Sequence, residues 1–121
     1  MPVPNAYEAD SNEVASHLST ASVNNVVLVE GPCRFVGANY NGGGTARWIK
    51  FYDLAREPLT SDEPFIKFRT TVNAPTMTPA PDGGIWCVNG LAIRITVNVG
   101  ESDDTAITAG EVALRAYYSR R

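Results

Sequence analysis

The segment Leu91–Val99 constrains the fold most strongly, because its residues alternate between two classes without a break. Leucine, isoleucine and valine occupy every odd position, and the even positions hold Ala92, Arg94, Thr96 and Asn98. Successive side chains of a β-strand point to opposite faces of the sheet, so this pattern predicts a strand with one buried and one solvated face. A chain that contains such a strand must build a sheet and cover one side of it.

Shorter segments of the same kind recur along the chain and are separated by glycine, proline and asparagine. They predict strands within Glu13–Thr20, Val23–Glu30, Cys33–Tyr40, Ala46–Leu54, Pro64–Val72, Ile85–Val88 and Val112–Tyr118. For Glu13–Thr20 a short helix is the alternative. Short strands with turn residues between them, and no amphipathic helical pattern, are typical of an antiparallel sandwich or barrel. We therefore predict an all-β fold, an antiparallel, jelly-roll-like β-sandwich with about 7–8 strands.

The segments between the strands carry predictions of their own. Asn41–Thr45, with the sequence N-G-G-G-T, begins with the Asn-Gly pair that favours a tight hairpin turn. It lacks the Gly-Lys-Ser/Thr ending and the following helix of a phosphate-binding loop. Gly37 predicts a β-bulge or a close backbone approach within its strand, and the prolines of Asn73–Gly84 predict a rigid loop that cannot belong to a central strand.

A chain of 121 residues has the size of one domain and can bury an independent core. Residues 1–12 are polar, hold two prolines and lack periodicity, which predicts an extended N-terminal arm or tail. Residues 13–121 are predicted to form a single β-sandwich domain. The only cysteines, Cys33 and Cys87, have apolar neighbours, which favours buried thiols over a disulfide in a reducing compartment.

The charge and hydropathy of the chain exclude several classes of protein. Its net charge of −3 at pH 7 argues against a general nucleic-acid binder, which needs a basic surface for the phosphate backbone. No apolar run reaches the length of about 18 residues that a membrane-spanning helix needs. The N-terminal sequence lacks the basic and apolar regions of a secretory signal, which indicates synthesis in a cytoplasm.

No set of residues in the sequence predicts catalysis or a cofactor. His17 is the only histidine, and no nucleophile stands beside it in a recognisable motif. The cysteines and this histidine lack the spacing of a zinc site, and the acidic segment around Asp103 and Asp104 lacks the pattern of a calcium loop. We therefore predict no enzyme activity, no catalytic residue, no metal site and no cofactor.

Aromatic residues and the arginines at the C-terminal end are the remaining candidates for a binding site. The tryptophans and tyrosines could form a platform for sugars or bases, although packing in the core or at a subunit interface is the commoner role of such residues. The predicted interface residues are Trp48, Tyr52, Tyr117, Tyr118, Arg120 and Arg121.

Two stretches of the chain resemble a family of small proteins from tailed bacteriophages and prophages. Residues 47–64 begin with R-W-I-K-F-Y-D and continue with Pro58 and D-E-P, which is similar to a strand and a proline-spaced loop of that family. Residues 89–112 carry N-G-L-A-I, I-T, D-D-T-A and A-G-E-V, which resemble its C-terminal half. The resemblance covers about residues 20–118.

The resemblance implies a structural protein of the virion that is made in the host cytoplasm, namely a capsid decoration or cement protein. Its implied partners are the major capsid protein and copies of itself in a homotrimer, without nucleic acid or membrane. The basic residues Arg115, Arg120 and Arg121 could meet an acidic shell surface or remain solvated. The alternative is a receptor- or glycan-binding module of a tail fibre or head spike, with Trp48 or Trp86 as an exposed platform.

Overall fold

A computed structural model describes residues 12–100 and 102–120 of the chain. These residues form nine β-strands and one short 3-10 helix, Pro81–Gly83. The strands are β1 Asn12–Leu18, β2 Val26–Glu30, β3 Cys33–Asn41, β4 Trp48–Tyr52, β5 Ile66–Arg69, β6 Pro75–Pro79, β7 Ile85–Cys87, β8 Gly90–Thr96 and β9 Ala113–Ser119. No helix in this part of the chain is long and apolar enough to cross a membrane.

The strands form two antiparallel sheets that pack face to face. The first sheet has the order β1-β9-β3-β6, and β7 also pairs with β3. Both β6 and β7 run antiparallel to β3, which they cover at Gly37–Asn41 and at Cys33–Phe35. The second sheet has the order β2-β8-β4-β5.

The pairing of the strands is nested along the chain. β1 pairs with β9, β2 with β8, β3 with β6 and β7, and β4 with β5. Strands β1 to β4 alternate between the sheets, so an antiparallel ribbon wraps round the core as a jelly roll. The predicted all-β sandwich is confirmed, with β6 and β7 acting as one interrupted strand. A strand is also present within each range that the sequence pattern marked.

The core lies between the two sheets and is built round phenylalanine rings. Phe35 of β3 and Phe51 of β4 have ring centroids 4.6 Å apart, and Phe68 of β5 lies 5.6 Å from Phe51. Buried aliphatic side chains surround the rings: Ile49, Leu91, Ile93, Ile95, Val112 and Leu114. Each such side chain contributes about 1.5–3 kcal/mol when it leaves water, so this cluster is a main source of stability.

The strand with the clearest alternation differs from its prediction. All seven residues of β8 are buried, including Ala92, Arg94 and Thr96, which we expected on a solvated face. β8 lies between β2 and β4 in the middle of its sheet. Backbone and side-chain groups of the segment that follows β8 lie over its outer side. The prediction of a solvated face is therefore wrong.

The predicted hairpin at Asn41–Thr45 is also wrong, because β3 and β4 belong to different sheets. This segment crosses from the first sheet to the second and passes close to the residues that follow β5. A Cβ atom at Gly42 would lie 2.5 Å from the hydroxyl oxygen of Thr70, and the carbonyl oxygen of Gly43 accepts a hydrogen bond from the Asn73 N–H. Glycine at position 42 is required by a close approach, not by a tight turn.

The segment Asn73–Gly84 contains the edge strand β6, so the prediction of a loop throughout this segment is wrong. Its exclusion from a central strand is confirmed, because β6 lies at the edge of the first sheet. Proline is tolerated there, since an edge strand needs hydrogen bonds on one side only. The bulge predicted at Gly37 is confirmed by a shift in the register of β3 with β9 between Phe35 and Gly37.

The predicted arm of residues 1–12 lies outside the described residues, apart from Asn12, which belongs to β1. The assignment of residues 13–121 to one domain stays a prediction. Residues 55–63 form a loop, because no strand or helix occurs between β4 and β5.

Gly90 tests how closely the start of β8 packs against its neighbours. A Cβ atom there would lie 2.5 Å from the carbonyl oxygen of Val29 and 2.9 Å from that of Leu54, and both are backbone atoms. We expect Gly90→Ala to lower the free energy of unfolding by about 1–3 kcal/mol, because the backbone must move to admit the methyl group. Urea denaturation measures this, with Gly44→Ala as the control, since a Cβ atom at Gly44 has no neighbour within 4 Å. Equal losses in both variants would contradict the prediction.

Candidate interaction surface

The outer sides of the two sheets differ, because loops cover the second sheet. On that side Lys50 of β4 lies directly opposite Arg94 of β8 and Lys67 of β5, which places three basic side chains in one row. Lys50 and Arg94 are 0% and 1% exposed. Charged groups so far from water require polar partners, since burial without them costs several kcal/mol.

The segment after β8 lies over this row and supplies partners to all three side chains. It accepts hydrogen bonds from Lys67 at the Val99 carbonyl (3.3 Å), from Lys50 at the Gly100 carbonyl, and from Arg94 at the Asp103 carbonyl (2.7 Å) and the Asp104 carboxylate (3.0 Å). These bonds fix the segment over β4 and β8. They explain why β8 is buried on both sides.

Asp103 holds this covering segment in shape. Burial by itself would raise the pKa of its carboxyl group, but hydrogen bonds from the Asn98 N–H at 3.0 Å and the Thr105 hydroxyl at 2.8 Å, with the charge of Lys50, keep that pKa below its usual value. The carboxylate therefore stays charged and bridges the two ends of the turn. No group of three His, Cys, Asp or Glu side chains within residues 12–100 and 102–120 is arranged to hold a metal ion.

Two carboxylates hold the segment between β4 and β5, which completes the cover. Asp62 accepts two hydrogen bonds from the Arg56 guanidinium, at 2.7 and 2.8 Å, and one from the Leu59 N–H at 2.7 Å. Asp53 accepts hydrogen bonds from backbone N–H groups of the turn before β8, and that of Asn89 is 2.8 Å away. The fixed loop and the segment after β8 bury Lys50, Tyr52 and Arg94 on the outer side of the second sheet, although Leu59 of the loop is itself 56% exposed.

The outer side of the first sheet has no such cover among the described residues. We name this side the open face and define it by the side chains that point away from the core in the strand register: Val14, Ser16 and Leu18 of β1, Ala113, Arg115 and Tyr117 of β9, Arg34, Asn39 and Asn41 of β3, Pro75, Met77 and Pro79 of β6, and Trp86 of β7. Its large apolar side chains are well exposed, with Leu18 at 62%, Met77 at 52%, Val14 at 50% and Trp86 at 50%.

The composition of the open face is that of a protein-binding surface. Apolar and neutral polar side chains surround the exposed Arg115, and the face contains no carboxylate although acidic residues outnumber basic ones in the chain. The centres of protein interfaces are likewise poor in charge and rich in methionine, aromatic residues and arginine. A shallow depression of about 440 Å³ lies across β1, β9 and β3 beside Arg115. The exposed apolar side chains lie along the two edges of the face, with Val14 and Leu18 on β1, Met77 on β6 and Trp86 on β7.

The interface residues predicted from the sequence are spread over both sheets. Tyr117 lies on the open face, whereas Tyr118 points inward and packs against the core. Trp48 is partly buried on the outer side of β4. Tyr52 is completely buried, which removes its side chain from the predicted surface. The role of the exposed members at an interface stays a prediction.

Of the two arginines at the C-terminal end, only Arg120 belongs to the described residues. Arg120 is exposed, donates a hydrogen bond to the Glu30 carbonyl oxygen at 3.1 Å, and lies 3.7 Å from the Glu13 carboxylate. Its guanidinium also lies 5.7 Å from the centre of the Tyr118 ring. These contacts tie the end of β9 to β1 and β2. Arg121 lies outside the described residues.

Leu18 and Met77 are candidates that sequence reasoning missed. Alternation separates Leu18 from its neighbour His17, but it does not reveal which of the two faces the core. In the structure Ala15 packs against the core, and His17 Nε2 lies 2.8 Å from the side-chain oxygen of the buried Asn24. Met77 lies in the proline-rich segment that was predicted as a loop, so no face was assigned to it.

The chain matches no protein-family model and no curated protein. Among solved structures it is similar to the coat protein of Tobacco streak virus in its C2 crystal form, with a TM-score of 0.41, 10% identity, and coverage of 91% of this chain and 87% of that chain. For the dimer of the same coat protein the TM-score is 0.40 at 10% identity, with coverage of 92% and 86%. Similarity at this level assigns the chain to no family, so membership of the tailed-phage family stays a prediction.

The contact between Arg56 and Asp62 predicts a specific pH dependence of stability. The Arg56 hydrogen bonds, and then that of the Leu59 N–H, lower the pKa of the Asp62 carboxyl to about 2. A carboxyl group with a lowered pKa stabilises the folded chain above its unfolded pKa and loses this effect as the pH falls through the folded value. We expect the native protein to be more stable than Asp62→Asn near neutral pH, and the difference to shrink between about pH 4 and pH 2.

Urea midpoints of both proteins across this pH range measure the difference. Glu63→Gln removes the neighbouring exposed carboxylate and serves as the matched control. A stability difference between the native protein and Asp62→Asn that does not change with pH would contradict the prediction.

Proposed function

We propose that this chain is a structural protein of a virion, a capsid decoration or cement protein that binds the outer shell through the open face and carries out no catalysis. The contrast between the two outer sides is the observation that supports this proposal. Loops cover the strands of the second sheet and, within the described residues, expose one large apolar side chain by more than half, Leu59, whereas the strands of the open face leave four such side chains half exposed or more. These side chains lie on the strands at the two edges of the face, β1 on one side and β6 and β7 on the other, so a partner that spans the face would cover both edges.

The open face suits a partner surface that offers apolar groups and a carboxylate. Arg115 lies in the middle of the face, in the row formed by Ser16, Arg115, Asn39 and Met77 across four strands. The face itself holds no acidic side chain, so the guanidinium would pair with a carboxylate of the partner. Two copies joined through this face would bring arginine towards arginine. The major capsid protein is therefore the proposed occupant, rather than a second copy.

The proposal includes a homotrimer, which the resemblance to decoration proteins implies, built through surfaces other than the open face. A closed ring of three requires that one patch on each copy meets a different patch on the next. Trp48 and Arg120 lie off the open face and are the described candidates for such patches, whereas Tyr118 points inward. This arrangement would leave the open face of every copy free to contact the shell.

A receptor- or glycan-binding module of a tail fibre or head spike is the second candidate. Trp86 favours it, because this side chain is 50% exposed at one end of the open face, opposite Arg34 in the register. An exposed indole presents an apolar ring face and a polar edge, which suits the stacking of a sugar. A glycan array probed with the native chain and with Trp86→Ala distinguishes this candidate from the first.

Particles of the virus or prophage that encodes the chain provide the direct test of function. We expect mass spectrometry to find the chain in particles purified by density gradient, and electron microscopy to place it at symmetric sites outside the shell. Copies confined to fibres or spikes would favour the second candidate. Absence of the chain from purified particles would contradict both.

Variants of the open face test which surface binds. We expect Leu18→Asp to weaken binding to particles assembled without the chain by at least about tenfold, because it places a charge in an apolar contact. Leu59→Asp is the matched control, since Leu59 is 56% exposed but lies on the covered side. A pull-down with particles, quantified over a range of protein concentrations, measures both affinities.

The charge of the open face is tested in the same binding measurement. Arg115→Glu should weaken binding, whereas Arg69→Glu, at an exposed position of the second sheet, should leave it unchanged. Circular dichroism confirms that each variant is folded. Equal effects of the open-face variants and their controls would exclude the open face as the docking surface.

A further inference from the structure

The only two cysteines of the chain lie directly opposite each other in the first sheet, Cys33 on β3 and Cys87 on β7. Opposite residues of an antiparallel pair point to the same side of the sheet, and their Cα atoms are about 4.5–5.5 Å apart. A disulfide joins residues whose Cα atoms are about 4.4–6.8 Å apart. The register alone therefore gives this pair the spacing of a disulfide without movement of the backbone.

Both cysteines are free thiols in this structure, and both are completely buried. The Cys87 thiol hydrogen-bonds that of Cys33, which lowers the pKa of Cys33, whereas this hydrogen bond and burial raise the pKa of Cys87. The thiolate is the reactive form of cysteine. We assign the first attack to Cys33, and Cys87 lies directly opposite it to complete the reaction.

Access to the pair depends on β7. This strand has three residues and pairs with β3, and no strand of the described fold lies on its other side. Trp86 within β7 is 50% exposed, and Val88 directly after it is 62% exposed. An edge strand of three residues can unpair from β3 while the other strands stay paired, although Cys87 leaves the core as it does so. Opening of β7 would bring both sulfur atoms into contact with solvent.

We propose that Cys33 and Cys87 are a site of redox modification, at which a small-molecule disulfide is exchanged for a cross-strand disulfide that locks β7 onto β3. The Cys33 thiolate attacks one sulfur of glutathione disulfide, whose S–S bond breaks and releases one glutathione thiolate. The Cys87 thiolate then attacks the Cys33 sulfur and releases the second. Two electrons and two protons pass from the chain to glutathione, which leaves as two thiols.

The disulfide would raise the stability of the chain, and whether it forms depends on the redox state of the surroundings. The cross-link would close the loop from residue 33 to residue 87, which contains β4, β5 and β6. Closing so long a loop restricts the unfolded chain, and the expected rise in melting temperature is on the order of 10 °C. Reducing compartments keep the thiols free, and oxidising surroundings outside a cell form the bond. This inference does not depend on the proposed function.

The experiment uses the purified full chain in buffers that contain reduced and oxidised glutathione in varied ratios. After alkylation of the denatured protein, we expect the oxidised form to carry no alkyl group and to weigh about 2 Da less than the reduced protein before alkylation, as loss of two hydrogens requires. Proteolysis should give a peptide that links Cys33 to Cys87. The melting temperature should rise on oxidation and return after treatment with dithiothreitol.

Cys33→Ala and Cys87→Ala are the controls, each compared with and without oxidant so that any effect of the substitution on stability cancels. We expect neither variant to gain in melting temperature, and Cys87→Ala to retain a glutathione adduct on Cys33. The proposal is overturned if the native chain remains doubly alkylated at every glutathione ratio. Linkage between separate chains, or a lower melting temperature after oxidation, would overturn it equally.

Discussion

Two basic side chains that do not reach water determine how the second sheet is completed. Lys50 and Arg94 lie side by side beneath the segment after β8, and like charges at this distance are unfavourable unless polar groups surround them. The carbonyl groups of that segment, together with Asp104, supply this surrounding. Once the segment is in place, the second sheet is covered on both sides.

The sequence predicted the class of fold because local alternation is a strong signal for strands and their spacing. The prediction that Arg94 faces solvent was wrong. A charged residue on the polar side of an alternating strand is normally solvated, and the alternation carries no information about a later segment that folds back to bind it. The Asn-Gly pair at position 41 failed for a related reason. Nested pairing requires β3 and β4 to lie in different sheets, and this non-local demand overrides a local turn preference.

The candidate surface was harder to predict than the fold. Composition identified Tyr117 and Trp86 as aromatic residues with a choice between core and surface, but only the register places both on the open face. Alternation in β1 defines two faces but does not show which of them meets the core. The small residues Ala15 and Ser16 give little preference for either orientation. Met77 escaped notice because prolines at both ends of β6 conceal an edge strand.

The nested pairing also determines at what stage of synthesis the open face can form. β9 lies between β1 and β3, so β1 has no neighbour in the first sheet until β9 has been synthesised. On the ribosome the early strands must wait for a segment about a hundred residues downstream, and pairing of such distant segments is slow. The open face is therefore absent from the nascent protein and forms only after translation of β9. Under the proposed function, binding to the shell therefore requires a chain whose β9 has already been translated.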